Sequence, residues 1–72
     1  MACLIGHGSL KKYSRDITID DPKIISEILD EMSIPQEIRD ILILIKGSVI
    51  IKENNLIEND DEIHLFIAVM GG

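Results

Sequence analysis

Few residues of this chain are of types that do chemistry, and most of those stand apart from one another. Cys3 is the single cysteine among 72 residues, which excludes an intramolecular disulfide framework and any multi-thiolate metal site. His7 and His64 are the only further soft ligands, so no metal-ligating residues are expected and a structural zinc site is close to excluded. Cys3 lies in an apolar run and reads as a small core hydrophobe rather than a sulfur relay. The two histidines are too isolated in sequence for base or ligand roles, and surface positions are expected for both. Lys11, Lys12 and Arg15 suit a basic contact patch and a solvated turn equally well. Glu58, Asp60, Asp61 and Glu62 read as a solvated turn, with steering of a partner as the alternative. The remaining feature is Gly71-Gly72, which follows directly on a strand pattern. At ordinary glycine usage a pair at this position arises by chance in about 0.5% of sequences. Glycine lacks a Cβ, so such a tail is thin and takes backbone angles closed to other residues. A terminus that threads a narrow channel into another protein's active site needs both properties.

The elements that position these residues follow from composition and periodicity. The length allows one small domain, residues 1–72, with Gly71-Gly72 as a flexible tail. Sixteen residues are isoleucine, β-branched bulk that suits strands and sheet-facing helices. Tyr13 and Phe66 are the only aromatic residues, and 7 Lys+Arg stand against 13 Asp+Glu for a net charge of −6. Too few rings for base stacking and too little positive charge for phosphate binding argue against a nucleic-acid partner. No apolar run is long enough to cross a bilayer, and residues 1–10 lack a signal-peptide core, so no membrane partner and a cytoplasmic location are expected.

The pattern predicts strands over residues 2–7 and 17–19, with a turn or one helical turn over 10–15 between them. Asp20-Asp21-Pro22 is a helix-start signal, a carboxylate cap with proline at the first helical position. Ile24, Ile25, Ile28, Leu29 and Met32 then form one stripe of period 3.6, which predicts the main helix over 23–32. Pro35 ends it, and residues 36–40 suit one more turn. Strands follow over 41–45 and 49–51 around a Lys46-Gly47-Ser48 hairpin turn. A short apolar return at 56–57 and a last strand over 63–69 complete the chain. The order predicts an α+β domain: a mixed sheet of four or five strands, one helix on one face, and Ile28, Leu29, Ile43, Ile63 and Leu65 in the core.

One helix covers one sheet face only. Ile63, Leu65, Ile67 and Val69 alternate with His64, Phe66, Ala68 and Met70, and both sets are mostly apolar. Ile41, Ile43 and Ile45 alternate likewise with Leu42 and Leu44. Contiguous exposed apolar surface marks a protein-binding site, so the second face is expected to be a partner interface built from Leu42, Leu44, Phe66, Ala68 and Met70.

Together these features resemble the ubiquitin-like sulfur-carrier family of the MoaD/ThiS type, which includes the small subunit of molybdopterin synthase and the thiamine-pathway sulfur carrier. His7-Gly8-Ser9-Leu10-Lys11-Lys12-Tyr13 is similar to the family's stretch after the first strand, where phenylalanine usually stands at the position of His7. Ile25-Ser26-Glu27-Ile28-Leu29 is similar to its helix, and Ile43-Leu44-Ile45-Lys46-Gly47 to its strand ending in Val-Asn-Gly. Residues 57–63 take the place of its Asp-Gly-Asp turn, and Leu65-Phe66 and Val69-Met70-Gly71-Gly72 match its closing strand and tail in spacing. Lys46 replaces an asparagine, Asp60 a glycine, and Ile67-Ala68 a Pro-Pro pair. The leucine-lysine segment looks more like the molybdopterin branch than the thiamine branch.

The resemblance implies a ubiquitin-like β-grasp fold and a protein co-substrate rather than an enzyme. In such a carrier an ATP-dependent, ubiquitin-activating-like adenylyltransferase converts the Gly72 carboxylate to an acyl-adenylate. A persulfide sulfur from a sulfurtransferase or cysteine desulfurase then displaces AMP and leaves a thiocarboxylate, which a synthase subunit uses to build a sulfur-bearing product. The carrier itself binds no cofactor, ATP being used by the activating partner, and is a monomer on its own. Two other functions share these features: a ubiquitin-like modifier conjugated through Gly72, and a plain ubiquitin-fold interaction domain.

Overall fold

The computed structural model describes residues 1–68; Val69, Met70, Gly71 and Gly72, with the expectations placed on them, lie outside the described residues. Ala2–Gly6 forms β1, its Ala2, Leu4 and Gly6 buried and its Cys3 and Ile5 half-buried, the period of two that a strand imposes. Gly8, at φ 61°, turns the chain into a 3-10 helix over Gly8–Tyr13 that buries Leu10. Arg15–Ile17 is β2, paired antiparallel with β1 from Leu4↔Arg15 to Ala2↔Ile17. The strand expected over 17–19 is thus displaced toward the N-terminus, because pairing with β1 takes up residues 15–17.

The main helix, α1, is Ile25–Glu31 and begins later than residue 23. Lys23–Ile24 instead forms β3, which pairs with β6 at Leu56–Ile57 in a separate two-stranded sheet. The signal at Asp20-Asp21-Pro22 does not cap α1. Its first free N–H groups, on Ile25 and Ser26, donate to the carbonyls of Asn55 and Glu53 at 3.0 and 2.9 Å, so a distant loop satisfies the donors a capping side chain would serve. Arg39 secures that loop by binding both Glu53 and Asp30 of α1. The Glu53 hydrogen bond, then the Asp30 one, raises the Arg39 pKa above its ordinary value.

Helix α1 ends before Pro35 can act on it. Ser33 adopts φ 56°, and its N–H donates to Asp30 while that of Ile34 donates to Leu29. This is the paired closure of a Schellman motif, with serine in the left-handed position and Ile34 buried beneath it. A short helix, α2 at Gln36–Arg39, leads into β4 at Leu42–Lys46. Gly47, at φ 64°, opens the two-residue loop to β5 at Val49–Ile51, as a tight hairpin requires. The last strand, β7, is Glu62–Ile67.

Among the described residues the large sheet has five strands in the order β2-β1-β7-β4-β5, with β1 and β7 parallel and the other pairs antiparallel. With α1 packed on one side, this mixed α+β arrangement is compatible with a β-grasp fold. The core joins Ile25, Ile28 and Leu29 of α1 to Leu4, Leu44, Ile63 and Leu65 of the sheet, with Leu10, Ile19, Ile34 and Ile57 closing its edges. Of the expected core, Ile43 is the exception: it is half-buried on the opposite sheet face, and Leu44 takes the core position.

Gly6 admits no side chain, because a Cβ there would sit on the backbone carbonyl of Leu10 in the returning 3-10 helix. Gly6→Ala should destabilise the domain by about 1–3 kcal/mol through forced backbone shifts. The measurement is urea unfolding, with the midpoint falling and the slope unchanged.

Candidate functional site

Among the described residues no element covers the sheet face opposite α1, and strand register decides which side chains lie on it. Directly paired residues share a face. Ile43 pairs with Phe66 and Ile45 with His64, whereas Leu42 and Leu44 pair with Ile67 and Leu65. Leu42 and Leu44 therefore belong to the helix side, Leu44 as a core residue and Leu42 packed against the core. The interface expected from the sequence combined Leu42 and Leu44 with Phe66 and Ala68. The alternation along each strand was correct, but the match between strands was off by one residue, which exchanges the faces. Phe66 and Ala68 remain in place: Ala68 donates to Ile41 O at 2.8 Å and continues the ladder beyond β7. Met70 lies outside the described residues.

On β1, Ile5 stands beside His64 and Cys3 beside Glu62. On β2, Asp16 faces Cys3. On β5, Ile50 faces Ile45 and is 70% exposed. The open face is thus an apolar field of Ile5, Ile41, Ile43, Ile45, Ile50 and Phe66 with polar groups toward one side.

Those polar groups are arranged in ways that sequence separation concealed. His7 follows β1 and donates its backbone N–H to Leu65 O at 3.0 Å, which extends the parallel pairing by one residue. Its ring stacks on Phe66, centres 4.3 Å apart and planes within 3°. Its Nε2 lies 2.8 Å from His64 Nδ1, and His64 Nε2 lies 2.8 Å from Glu62 Oε1. The two imidazole centres are 5.1 Å apart, the spacing of rings set edge to edge with the short contact on the line of centres. The histidines expected to be isolated are therefore linked in a row with a carboxylate. The available signal was that both flank the open-face residues of strands that pair.

Cys3 is half-buried on this face rather than part of the core. A hydrogen bond donated by its thiol to the Asp16 carboxylate is the main cause that raises its pKa above the ordinary value, with burial and the charges of Asp16 and Glu62 acting the same way. The raised pKa lowers the share of thiolate, the nucleophilic form of the thiol.

The remaining candidates are engaged locally. Asp61 accepts from the Glu58 N–H at 2.7 Å and pairs with Lys46 at 3.1 Å. Asp60 adopts φ 73° and lies 3.4 Å from the N-terminal amine. That acidic segment is a built turn, with Asp61 and Asp60 each beside a cation. Lys11 and Lys12 are exposed at the end of the 3-10 helix, and Lys12 and Arg15 line an open groove with Tyr13, Ser14, Glu31 and Met32. Among the described residues no group of three or more His, Cys, Asp or Glu is placed to hold a metal ion, and no helix is long and apolar enough to cross a membrane.

No protein-family model matches this chain, and no curated protein matches it.

Cys3 should react with iodoacetamide more slowly than free cysteine at about pH 8, where an ordinary thiol is partly ionised. Asp16→Asn removes the main cause of the raised pKa and should accelerate alkylation, as read by intact mass over time.

Proposed function

We propose that this protein is a sulfur carrier whose Gly72 carboxylate is activated by adenylation and converted to a thiocarboxylate. The observation that carries this reading is the sheet order. The strand that precedes Gly71-Gly72 in the sequence is β7, the centre of the sheet, and the face beside it opposite the helix is apolar. A docking surface on the strand that two glycines follow in sequence suits a rigid domain that offers one terminal group to another protein's active site.

The chemistry requires nothing from the domain beyond presentation. A carboxylate oxygen of Gly72 attacks the α-phosphorus of ATP in the activating enzyme, and pyrophosphate leaves. A partner's persulfide sulfur attacks the acyl carbon, displacing AMP and forming an acyl disulfide. A second thiol of that partner cleaves the S–S bond, releasing the thiocarboxylate and leaving a disulfide. The thiocarboxylate sulfur is then the nucleophile for a sulfur-accepting synthase, with molybdopterin-type products favoured and thiamine-type next. The domain contributes proximity and orientation, and the chemical groups belong to its partners. Docking through Ile43, Ile45, Phe66 and Ala68 would leave the tail free to enter the active site.

A ubiquitin-like modifier, with Gly72 joined to lysine amines, uses the same adenylate. Intact mass of the protein from its own cells separates the two: exchange of one oxygen for sulfur marks the carrier, and conjugates to whole proteins mark the modifier.

One residue added after Gly72 moves the acyl carbon about 3.5 Å from its place. ATP–pyrophosphate exchange with the activating enzyme should then fall at least about a hundredfold, with the unfolding midpoint unchanged because a tail beyond the last strand packs little. Normal exchange by the extended protein would refute both carrier and modifier.

A further inference from the structure

An open backbone edge and a cationic groove meet along β2. Among the described residues β2 is an outermost strand of the large sheet. Cys3 gives its N–H to Asp61 O, and His7 gives its own to Leu65 O, so these alternate residues turn their backbone groups toward β7. Cys3 and its β2 partner Asp16 are therefore a pair that exchanges no hydrogen bonds. Asp16 accordingly turns its own N–H and C=O outward, past the edge of the sheet. Ser14, just ahead of β2, is extended as well.

The groove lies beside that edge. Arg15 pairs with the core residue Leu4 and shares its face, the helix side. There Lys12, Tyr13, Ser14 and Arg15 form one wall of the groove, and Glu31 and Met32, at the end of α1, form the other. Tyr13 and Met32 pack against the core and give it an apolar floor. Lys12 Nζ lies 5.3 Å from the centre of the Tyr13 ring. Glu31, the carboxylate of the lining, is already matched by Lys23 at 3.6 Å. Arg39 and Lys46 are matched with carboxylates too, whereas Lys12 and Arg15 form no ion pair among the described residues. In a chain of net charge −6 the groove thus keeps two uncompensated cations.

We propose that β2 and this groove bind an extended acidic segment of another protein, which adds to the sheet as a strand beyond β2. Backbone bonds to Asp16 supply affinity, and alternate side chains supply selectivity. In antiparallel register the guest passes Ile17, then Asp16, then Arg15. Opposite Ile17 it lies on the helix side beside an apolar residue, which suits valine. Opposite Asp16 it lies on the other face beside a carboxylate, which repels acid and suits threonine. Opposite Arg15 it lies over the groove, where a glutamate meets the guanidinium, and a second glutamate two residues later meets Lys12. The other outer strand, β5, offers no such site: Asn55 Oδ1 takes the Lys52 N–H at 2.8 Å, and the exposed Val49 and Ile50 carry no charge. The apolar face assigned to docking lies on the opposite side of the sheet, so this surface is independent of the carrier function proposed above.

The probe is the capped peptide Val-Thr-Val-Thr-Glu-Thr-Glu, titrated into the isotope-labelled intact protein and followed by amide NMR. It should bind with a Kd below about 5 mM and shift the amides of residues 14–17 most. Weaker binding, or shifts centred on β5 or on the open face, overturns the proposal. With lysine in place of both glutamates, the peptide should bind at least about tenfold more weakly; equal binding overturns an acidic guest. Methylating the threonine backbone nitrogens blocks the bonds to Asp16 and should cost at least about tenfold; undiminished binding overturns strand addition. Inorganic phosphate that reproduces the peptide's shifts at equal concentration shows a simple anion site and overturns it likewise. Lys12→Gln with Arg15→Gln should bring the acidic and basic peptides within about twofold of each other. A preference that survives in that variant places recognition outside the groove and overturns the assignment.

Discussion

Every other feature of this domain depends on the pairing of β7, parallel to β1 on one side and antiparallel to β4 on the other. A central strand uses both its hydrogen-bonding edges, so its neighbours lose their freedom to slide. Ile63 and Leu65 are fully buried on its helix side, and the pairing carries Leu4 and Leu44 into the same layer. The same contacts commit Ile5, Ile45, Ile43 and Phe66 to the other face. A helix of seven residues covers only one of those layers, so the second apolar face follows from the same economy of structure that makes the core.

The segments around that sheet are held by backbone bonds over long sequence distances. The loop before β6 supplies carbonyls to the first turn of α1, and Arg39 ties that loop to the helix from a third segment. Cys3 donates its N–H to Asp61 O at 2.8 Å, which seats the acidic turn against the first strand. In a domain with a small core such connections matter because the net stability is a small remainder of large terms.

The sheet face opposite α1 is the surface on which the proposed function relies. It combines exposed aliphatic surface with a polar row of Glu62, His64 and His7. A fold of this kind serves many roles, and the proposed one relies on the tail that follows the central strand in sequence and on the apolar field beside it.

Local periodicity was legible from the residues alone. The helix stripe of Ile25, Ile28 and Leu29, the alternation in β4 and β7, the hairpin at Gly47 and the α+β class all express the geometry of single elements. The turn read at residues 58–62 is present too, with Asp60 at φ 73°. What tertiary structure decided was relational. Each strand's two faces were readable, but which face of β4 joins which face of β7 depends on register, and a slip of one residue exchanges Leu44 for Ile43. The helix start was misplaced because carbonyls from residues 53 and 55, remote in sequence, cap it in place of Asp20 or Asp21. His7 and His64 meet only because β1 and β7 run parallel side by side. Side-chain period is a property of one strand, whereas hydrogen-bond partners belong to pairs of segments, and those pairs exist only once the chain has closed on itself.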